Sequence, residues 1–316
     1  MKIFLTLLAL FGFVFKIQAA EPGRFFYEGD GKISLANKNS GVKVSANYRN
    51  NDGNYSASSL QQINKVFGMP STELGEDISL RLISLLDYLQ DTFSPNQTLV
   101  IFSGYRSPTL NAKLRRAGKT AGETSYHMDG MAADVLFPGV PSEKVWEYVQ
   151  GLNVGGVGYY GGTDLHIDSG RPRFWTKATA LPKGNEPQEN KNIYLSIDKD
   201  IYHPGETIQL FFSGISQFPI GVKPIFRLGA TSFTPEFQVL PPPLMGGGWG
   251  EGDHCVLLTK RKEARLITWT IPENISTSDE KKLAVEVQFC GPEYSKMPKE
   301  ILSRSFVIRK YLNISK

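Results

Sequence analysis

The spacing of apolar and polar positions predicts two helices early in the chain. Apolar residues recur at helical intervals after Ser58, which has the form of a capping residue, and Gly68 stands where that helix would end. A longer leucine-rich stripe follows Asp77, a second candidate cap, and stops before Pro95. Both stripes indicate helices that pack one face against a core.

The segment that follows alternates short apolar runs with helical patterns. Strands are predicted over 99–102, 132–137 and 163–168, and helices over 107–116 and 142–150, the latter ended by Gly118 and Gly151. Residues 155–162 hold too many glycines for a simple strand interior, and we interpret them as a groove wall that a ligand approaches closely. A phosphate-binding loop is disfavoured because no lysine follows at the required spacing.

Beyond residue 180 the pattern changes to strands alone. Residues 181–192 are polar and lack periodicity, which predicts a linker. Strand-like runs then occur at 193–197, 207–212, 225–228, 255–258, 266–271, 283–289 and 305–308. These runs predict an all-β sandwich over 193–316 whose Cys255, Trp269 and Cys290 invite comparison with immunoglobulin domains, although the second interval is shorter than that pattern requires.

The first 20 residues have the pattern of a secretory signal. Lys2 precedes a short apolar run, and Ala19 and Ala20 provide the small residues of a cleavage site. The run is too short for a stable membrane span, although an uncleaved anchor is the competing interpretation. We therefore expect export to the periplasm, with the catalytic or binding region over 21–180.

Composition and charge narrow the function classes. The chain has 316 residues and a net charge of +4, and removal of residues 1–20 leaves 33 basic and 31 acidic residues. No basic block or aromatic-interleaved basic stripe is present, so nucleic-acid binding is not expected. The two cysteines favour a disulfide in an oxidising compartment, with two buried thiols as the alternative.

Two of the four histidines stand in patterns that suit a metal ion. His127 and Asp134 are joined through an Asp-Gly turn, and in the strand over 163–168 alternation places Asp164, His166 and Asp168 on one face. Catalytic zinc takes three ligand atoms from the protein, nitrogen or oxygen, and keeps one open position. His127, Asp134 and His166 would supply these three ligands. The competing interpretation is a set of hydrogen-bonded core residues.

The run Ser-x-His-x-x-Gly-x-Ala-x-Asp over 125–134, preceded by Ser-Gly-Tyr-Arg over 103–106, resembles the LAS metallopeptidases. These zinc peptidases include D-Ala-D-Ala carboxypeptidases and murein endopeptidases and share the hedgehog fold, and the chain looks most like the periplasmic YcbK-type murein endopeptidases. The resemblance implies an α+β, hedgehog/D-Ala-D-Ala-peptidase-like mixed sheet with flanking helices. It also implies one Zn²⁺ per chain, held by His127, Asp134 and His166.

Roles for the remaining polar residues follow from this resemblance. Many relatives place a glutamate general base three residues before the second zinc histidine, where this chain has Thr163, so we assign the base to Asp164, with Asp168 as its rival. Arg106 at a strand-to-helix corner is expected to hold a substrate carboxylate or an oxyanion, unless it forms an ordinary ion pair. Ser125, Asp168 and Tyr105 are expected to orient ligands or contact substrate.

The predicted function is a zinc-dependent peptidoglycan hydrolase that cleaves amide bonds in murein stem peptides or cross-links. A D,D- or L,D-carboxypeptidase would use the same zinc chemistry. A metal-containing but non-catalytic cell-wall binding module is the third possibility, and the C-terminal domain is expected to dock onto the wall or a partner protein.

Overall fold

The computed structural model describes residues 23–69, 77–118, 121–180, 187–238, 255–275 and 281–310. The predicted signal over 1–20, positions 181–186 of the predicted linker and the proline- and glycine-rich stretch 241–249 lie outside these ranges. In the described part, no helix is both long enough and apolar enough to cross a membrane.

Seven strands and four α-helices make up the described part of residues 23–180. In chain order they are β1 (Lys32–Asn37), β2 (Lys43–Asn47), α1 (Ala57–Phe67), α2 (Leu80–Phe93), β3 (Leu99–Ser103), α3 (Pro108–Arg116), β4 (Ala132–Leu136), α4 (Ser142–Leu152), β5 (Gly156–Tyr159), β6 (Leu165–Asp168) and β7 (Arg173–Thr176). A 3-10 helix, Tyr126–Asp129, precedes β4.

These strands form one mixed sheet in the order β2-β1-β3-β4-β6-β5-β7. The β1–β3 and β5–β7 pairs are parallel, and the remaining neighbours are antiparallel. Side chains from the sheet and from α1, α2 and α4 share one hydrophobic core. The mixed α/β class predicted for this region is therefore confirmed.

Two helix starts differ from the prediction. The side chain of Ser56, not Ser58, caps α1, because its hydroxyl is in position to accept a backbone N–H from the first turn. The cap position of α2 is Ser79 rather than Asp77. The Asp77 carboxylate instead accepts a hydrogen bond from the Asn64 amide at 2.6 Å and so ties α1 to the segment before α2.

Helices α3 and α4 lie before and after the sequence that carries His127 and Asp134. Ser107 caps α3 through its hydroxyl, as expected for a Ser-Pro start, and Gly118 follows the end of the helix with a φ of +69°. Helix α4 continues through Gly151, where an end was predicted, and stops at Asn153, which adopts a φ of +53°.

The described part of residues 187–310 is built from short strands. They are β8 (Tyr194–Ile197), β9 (Ile201–Tyr202), β10 (Thr207–Ser213), β11 (Ile220–Val222), β12 (Phe226–Leu228), β13 (Thr231–Phe233), β14 (Glu236–Phe237), β15 (Val256–Leu258), β16 (Ile267–Thr270), β17 (Val285–Cys290), β18 (Glu300–Leu302) and β19 (Val307–Ile308). A 3-10 turn, Glu263–Arg265, lies before β16.

Two larger sheets share a second hydrophobic core in this region. One has the order β14-β16-β10-β8; the other has the order β13-β12-β17-β11-β15, with β18 on β17. Strands β9 and β19 form a separate parallel pair. All seven predicted runs contain a strand, whereas β9, β11, β13, β14 and β18, each of two or three residues, were not predicted.

The Cys255–Cys290 disulfide is formed, as the sequence favoured. Strand β11 separates β15 and β17 in a single sheet, and the disulfide crosses it at Gly221, where a Cβ would lie 2.6 Å from Cys255 Sγ. Because the bridge lies within one sheet, it differs from the inter-sheet disulfide of immunoglobulin domains, and Trp269 belongs to the other sheet.

Replacing both Cys255 and Cys290 by serine is expected to lower the free energy of unfolding by about 4 kcal/mol, because a 35-residue loop is then no longer closed in the unfolded chain. Urea unfolding of the oxidised protein and the double variant measures the difference. Reductant should destabilise only the parent protein. Equal midpoints for the oxidised parent and the variant would contradict the prediction.

Candidate metal centre

Neighbouring strands place two of the three expected ligands opposite each other. Asp134 in β4 pairs with His166 in β6 in an antiparallel register, so both side chains emerge on the same face. Leu165 and Ile167, which alternate with His166, are fully buried in the core on the opposite face. His127 reaches the same point from the 3-10 helix, so the structure brings the three residues together.

Three atoms define the centre. His166 Nδ1 lies 3.1 Å from Asp134 Oδ1 and 3.2 Å from His127 Nε2, and the third edge, from His127 Nε2 to Asp134 Oδ1, is 3.4 Å. Tetrahedral zinc with bonds of about 2.0–2.1 Å separates neighbouring ligand atoms by roughly 3.3–3.4 Å. The triangle therefore has the size that a zinc ion requires.

The second nitrogen of each imidazole has its own partner. His127 Nδ1 lies 2.7 Å from the carbonyl oxygen of Gly104, to which it donates, and His166 Nε2 lies 3.0 Å from Asp168 Oδ2. With those nitrogens protonated, His127 Nε2 and His166 Nδ1 present lone pairs to each other and to the Asp134 oxygen. Three facing acceptors repel one another unless a cation lies between them, so the donor set fits a metal ion.

The pKa shifts agree with a site built for a cation. Burial disfavours the charge of Asp134, but its interactions with His127 and His166 hold the pKa of this carboxyl well below its usual value. Burial lowers the pKa of His127 and favours the neutral ligand form. For His166 burial acts in the same direction, but hydrogen bonds to Asp134 and Asp168 raise its pKa, so protons should compete with a metal in acid.

Arg106 contacts the outer oxygen of the central carboxylate. Its Nη2 donates to Asp134 Oδ2 at 2.7 Å, and its Nε donates to Ser103 Oγ at 2.9 Å. The guanidinium therefore orients Asp134 so that Oδ1 faces the imidazoles. Arg106 also lines the cavity, which leaves it in position to meet a ligand there as well.

Asp168 lies behind the ring of His166 and is fully buried. Its two oxygens accept hydrogen bonds from the backbone N–H groups of Gly156 and Gly170, from the Arg173 guanidinium and from His166. Burial raises its pKa, but Arg173 and these hydrogen bonds outweigh that effect and hold the pKa well below the usual range. A carboxylate so enclosed is poorly placed to take a proton from water in the cavity, which favours Asp164 over Asp168 as the general base.

Replacing Asp168 by asparagine is expected to weaken zinc binding about 10- to 100-fold, because the carboxylate that fixes the His166 ring and increases its basicity is lost. Competition with a chromophoric chelator measures the affinity. Asp164→Asn is the matched control, since that residue lines the cavity but is not one of the three candidate ligands. Equal affinities for the two variants would contradict the role assigned to Asp168.

A cavity of about 1040 Å³ opens beside the three ligand atoms. Asp164 and Ser125 line it, and the Ser125 side chain does not cap the 3-10 helix that follows. Tyr105 packs against the N-terminal core and is not part of this lining, contrary to the expectation of a substrate contact. Arg115 and Arg116 of α3 add positive charge to one wall.

The glycines of β5 leave room for side chains of neighbouring strands. A Cβ on Gly158 would lie 2.4 Å from the Trp175 ring, and one on Gly156 would lie 2.2 Å from Asp168 Oδ2. The predicted close approach is real, but it is made by residues of the adjacent strands β6 and β7, not by a ligand. Tyr160, just beyond β5, does line the cavity.

Sequence reasoning missed the aromatic and backbone supports of the centre. The Trp175 ring lies against His166 with centroids 5.1 Å apart, and its indole N–H donates to Tyr160 at 2.9 Å. The Gly104 carbonyl, which fixes the His127 tautomer, carries no side-chain signal at all. Trp175 lies in β7, a strand of four residues that are all partly or fully exposed. Its position beside His166 is therefore apparent only from the order of strands in the sheet.

Comparison with known proteins supports the resemblance found in the sequence. Residues 28–175 match the family described as peptidoglycan L,D-endopeptidase MepK, which confirms the similarity to LAS-type peptidases for that segment. A probable peptidoglycan L,D-endopeptidase MepK of Haemophilus influenzae is 40% identical over 81 residues, which span 25% of this chain and 44% of that protein. No solved structure matches the chain.

Proposed function

We propose that this chain, whose residues 28–175 match the peptidoglycan L,D-endopeptidase family, is a zinc-dependent hydrolase that cleaves amide bonds in peptidoglycan stem peptides or cross-links. The observation that carries the proposal is the triangle of His127 Nε2, Asp134 Oδ1 and His166 Nδ1 beside a large open cavity. The similarity to the probable peptidoglycan L,D-endopeptidase of Haemophilus influenzae supports an L,D-bond as the target.

His127, Asp134 and His166 would hold one Zn²⁺. When bound, zinc makes water acidic enough to supply a nucleophile at neutral pH and polarises the scissile carbonyl. The chain prepares for this through its own hydrogen bonds, because Gly104 and Asp168 keep both imidazoles in the ligating tautomer. Arg106 holds Asp134 in the orientation that turns Oδ1 toward the imidazoles.

Asp164 is the proposed general base. It lies in the cavity wall on the residue before β6, so it belongs to the same rim as His166. Its carboxylate would accept a proton from the attacking water and deliver it to the departing amine. The cationic wall of Arg115 and Arg116 would attract the carboxylates of stem peptides.

The finer architecture and location are part of the same proposal. We assign residues 1–20 to a signal peptide, 21–180 to a hedgehog/D-Ala-D-Ala-peptidase-like domain, 181–192 to a linker and 193–316 to a β-sandwich of immunoglobulin-like architecture. Two separate hydrophobic cores support the division. A substrate in the cell wall would require export, and a periplasmic location agrees with the disulfide.

Digestion of purified sacculi tests the proposed function. The protein without residues 1–20 is incubated with sacculi, with and without chelator, and the released muropeptides are resolved by mass. Conversion of cross-linked dimers to monomers supports an endopeptidase, and loss of one terminal residue would indicate a carboxypeptidase. No change in the muropeptides, with one zinc bound per chain, would refute hydrolysis and leave a cell-wall binding module.

A further inference from the structure

The three ligands of the proposed metal centre differ in how they are supported. Asp134 and His166 lie on paired central strands of the seven-stranded sheet. His127 instead lies on a 3-10 helix of four residues, whose N-terminal residue Ser125 provides no side-chain cap. A single short turn has little stability of its own, so its geometry depends on what packs against it.

This turn is contacted by the N-terminal region, where His127 Nδ1 lies 2.7 Å from the Gly104 carbonyl oxygen, and also by the C-terminal region. Asp129, two residues after His127, is 2% exposed. One of its carboxylate oxygens forms an ion pair with Arg261, which precedes the 3-10 turn Glu263–Arg265, and the other accepts the backbone N–H of Gly214 at 3.2 Å. Both partners lie more than 80 residues away along the chain, and a buried carboxylate that lost Arg261 would lack a compensating charge.

Apolar packing joins the same two regions on the other side of the turn. Tyr126, Met131 and Ala132 form a small buried cluster, and Phe211 of β10 packs against it. The Arg173 guanidinium covers the Tyr126 ring at 4.7 Å. The turn that carries His127 is thus enclosed between the N-terminal sheet and the sheet that contains β10.

A second contact fixes the two regions at a distance from the centre. Arg81 of α2 forms a buried ion pair with Asp200 and donates to the carbonyl oxygens of Ile197 and Lys199 at 3.1 and 2.8 Å. Asp200 also accepts the backbone N–H of Phe26 at 3.1 Å. With two separate points of attachment, the C-terminal region is held in one orientation toward the metal centre.

We propose that the C-terminal region completes the metal centre, and that Arg261, acting through Asp129, is a positioning residue for His127. The inference rests on the metal centre of the proposed function but not on which bond is hydrolysed. The C-terminal region then supports the site from within the same chain, in addition to any contacts that it makes with other molecules. Arg261 is not among the residues that line the cavity, and it reaches the turn that carries His127 through its ion pair with Asp129; its guanidinium also donates to the Ile215 carbonyl oxygen at 3.5 Å.

Zinc affinity of the full chain without residues 1–20 tests the proposal directly. Competition with a chromophoric chelator is measured for the parent protein, Arg261→Met, Arg261→Lys, Asp129→Asn and the double variant of Asp129→Asn with Arg261→Met. Arg227→Met is the matched control, because that arginine pairs with Glu286 within the C-terminal region, and it is half-exposed. Visible absorption of the Co²⁺-substituted proteins reports the ligand geometry.

We expect Arg261→Met to weaken Zn²⁺ binding about tenfold and to alter the Co²⁺ spectrum, in the range seen when a supporting partner is lost. Arg261→Lys should restore most of the affinity, and the double variant should bind no more weakly than either single variant, because the two residues act as one pair. Arg227→Met should match the parent protein.

Parent-like zinc affinity and an unchanged Co²⁺ spectrum in Arg261→Met would overturn the proposal. If that variant does not fold, the same result in Asp129→Asn, which keeps an oxygen for the Gly214 N–H, would overturn it equally. The zinc measurements contain no peptidoglycan, so they test the role of Arg261 independently of hydrolysis. If Arg261→Met weakens zinc binding as expected but the protein does not digest sacculi, the proposed function is rejected and the role of Arg261 remains supported.

Discussion

Asp134→Asn is expected to abolish zinc binding and to lower hydrolysis of peptidoglycan at least about 1000-fold, because the metal's several kcal/mol of transition-state stabilisation are lost. Arg106 donates to one oxygen of this side chain, so it should select the amide oxygen in the variant. The amide NH₂ group would then point at His127 and His166 and donate to their lone pairs, in the place of the ion.

Metal content per chain and muropeptide release measure this effect. The variant should unfold at a temperature close to that of the metal-free parent, because one hydrogen-bonded group replaces another and no cavity forms. Full zinc occupancy in Asp134→Asn would show that the three atoms do not form the metal centre. Recovery of activity in excess zinc would show weakened rather than abolished binding.

Asp164→Asn should lower kcat about 10²- to 10⁴-fold while one zinc remains bound, because the residue is assigned to proton transfer and not to metal binding. The matched control is Glu123→Gln, a second carboxylate in the cavity wall, for which only a small change is expected. Steady-state rates on isolated cross-linked muropeptides separate kcat from KM in both variants.

An Asp164→Asn protein with full kcat would refute the assignment of the base. Asp168 is poorly placed to replace it, since that carboxylate is enclosed behind His166 and takes no part in the cavity wall. A large loss in Glu123→Gln would then transfer the role to Glu123. Each result points to one carboxylate, because the charge is removed without a change in side-chain size.

The sequence predicted the site where local periodicity and strand pairing act together. Alternation along β6 correctly separated His166 and Asp168 from the buried Leu165 and Ile167. The single carboxylate in the apolar run of β4 correctly indicated that Asp134 needs partners, because burial of an unpaired charge is costly. In these cases a few neighbouring residues are enough to predict which face a side chain occupies and whether it needs a partner.

Other parts of the site depend on contacts between distant segments. The order of strands in the sheet places Trp175 against His166 although β7 is adjacent to β5 and not to β6. Backbone groups such as the Gly104 carbonyl make contacts that do not depend on residue type, so the sequence does not reveal these contacts. The Arg261–Asp129 pair joins residues 132 positions apart, and no local pattern could indicate it. The observed start of α2 also differs from the predicted one, because the Asp77 carboxylate accepts a hydrogen bond from Asn64 instead of capping the helix.

Two of the three proposed ligands, Asp134 and His166, are carried by hydrogen-bonded central strands, so the fold itself positions them. Small zinc domains that lack such a scaffold lose their structure when the ion is withdrawn, because metal binding supplies their folding free energy. Here the sheet, its apolar core and the Asp168 and Gly104 contacts are all made by residues of the chain itself. Removal and return of zinc should therefore be a reversible exchange on a rigid template, with loss and recovery of activity but no refolding.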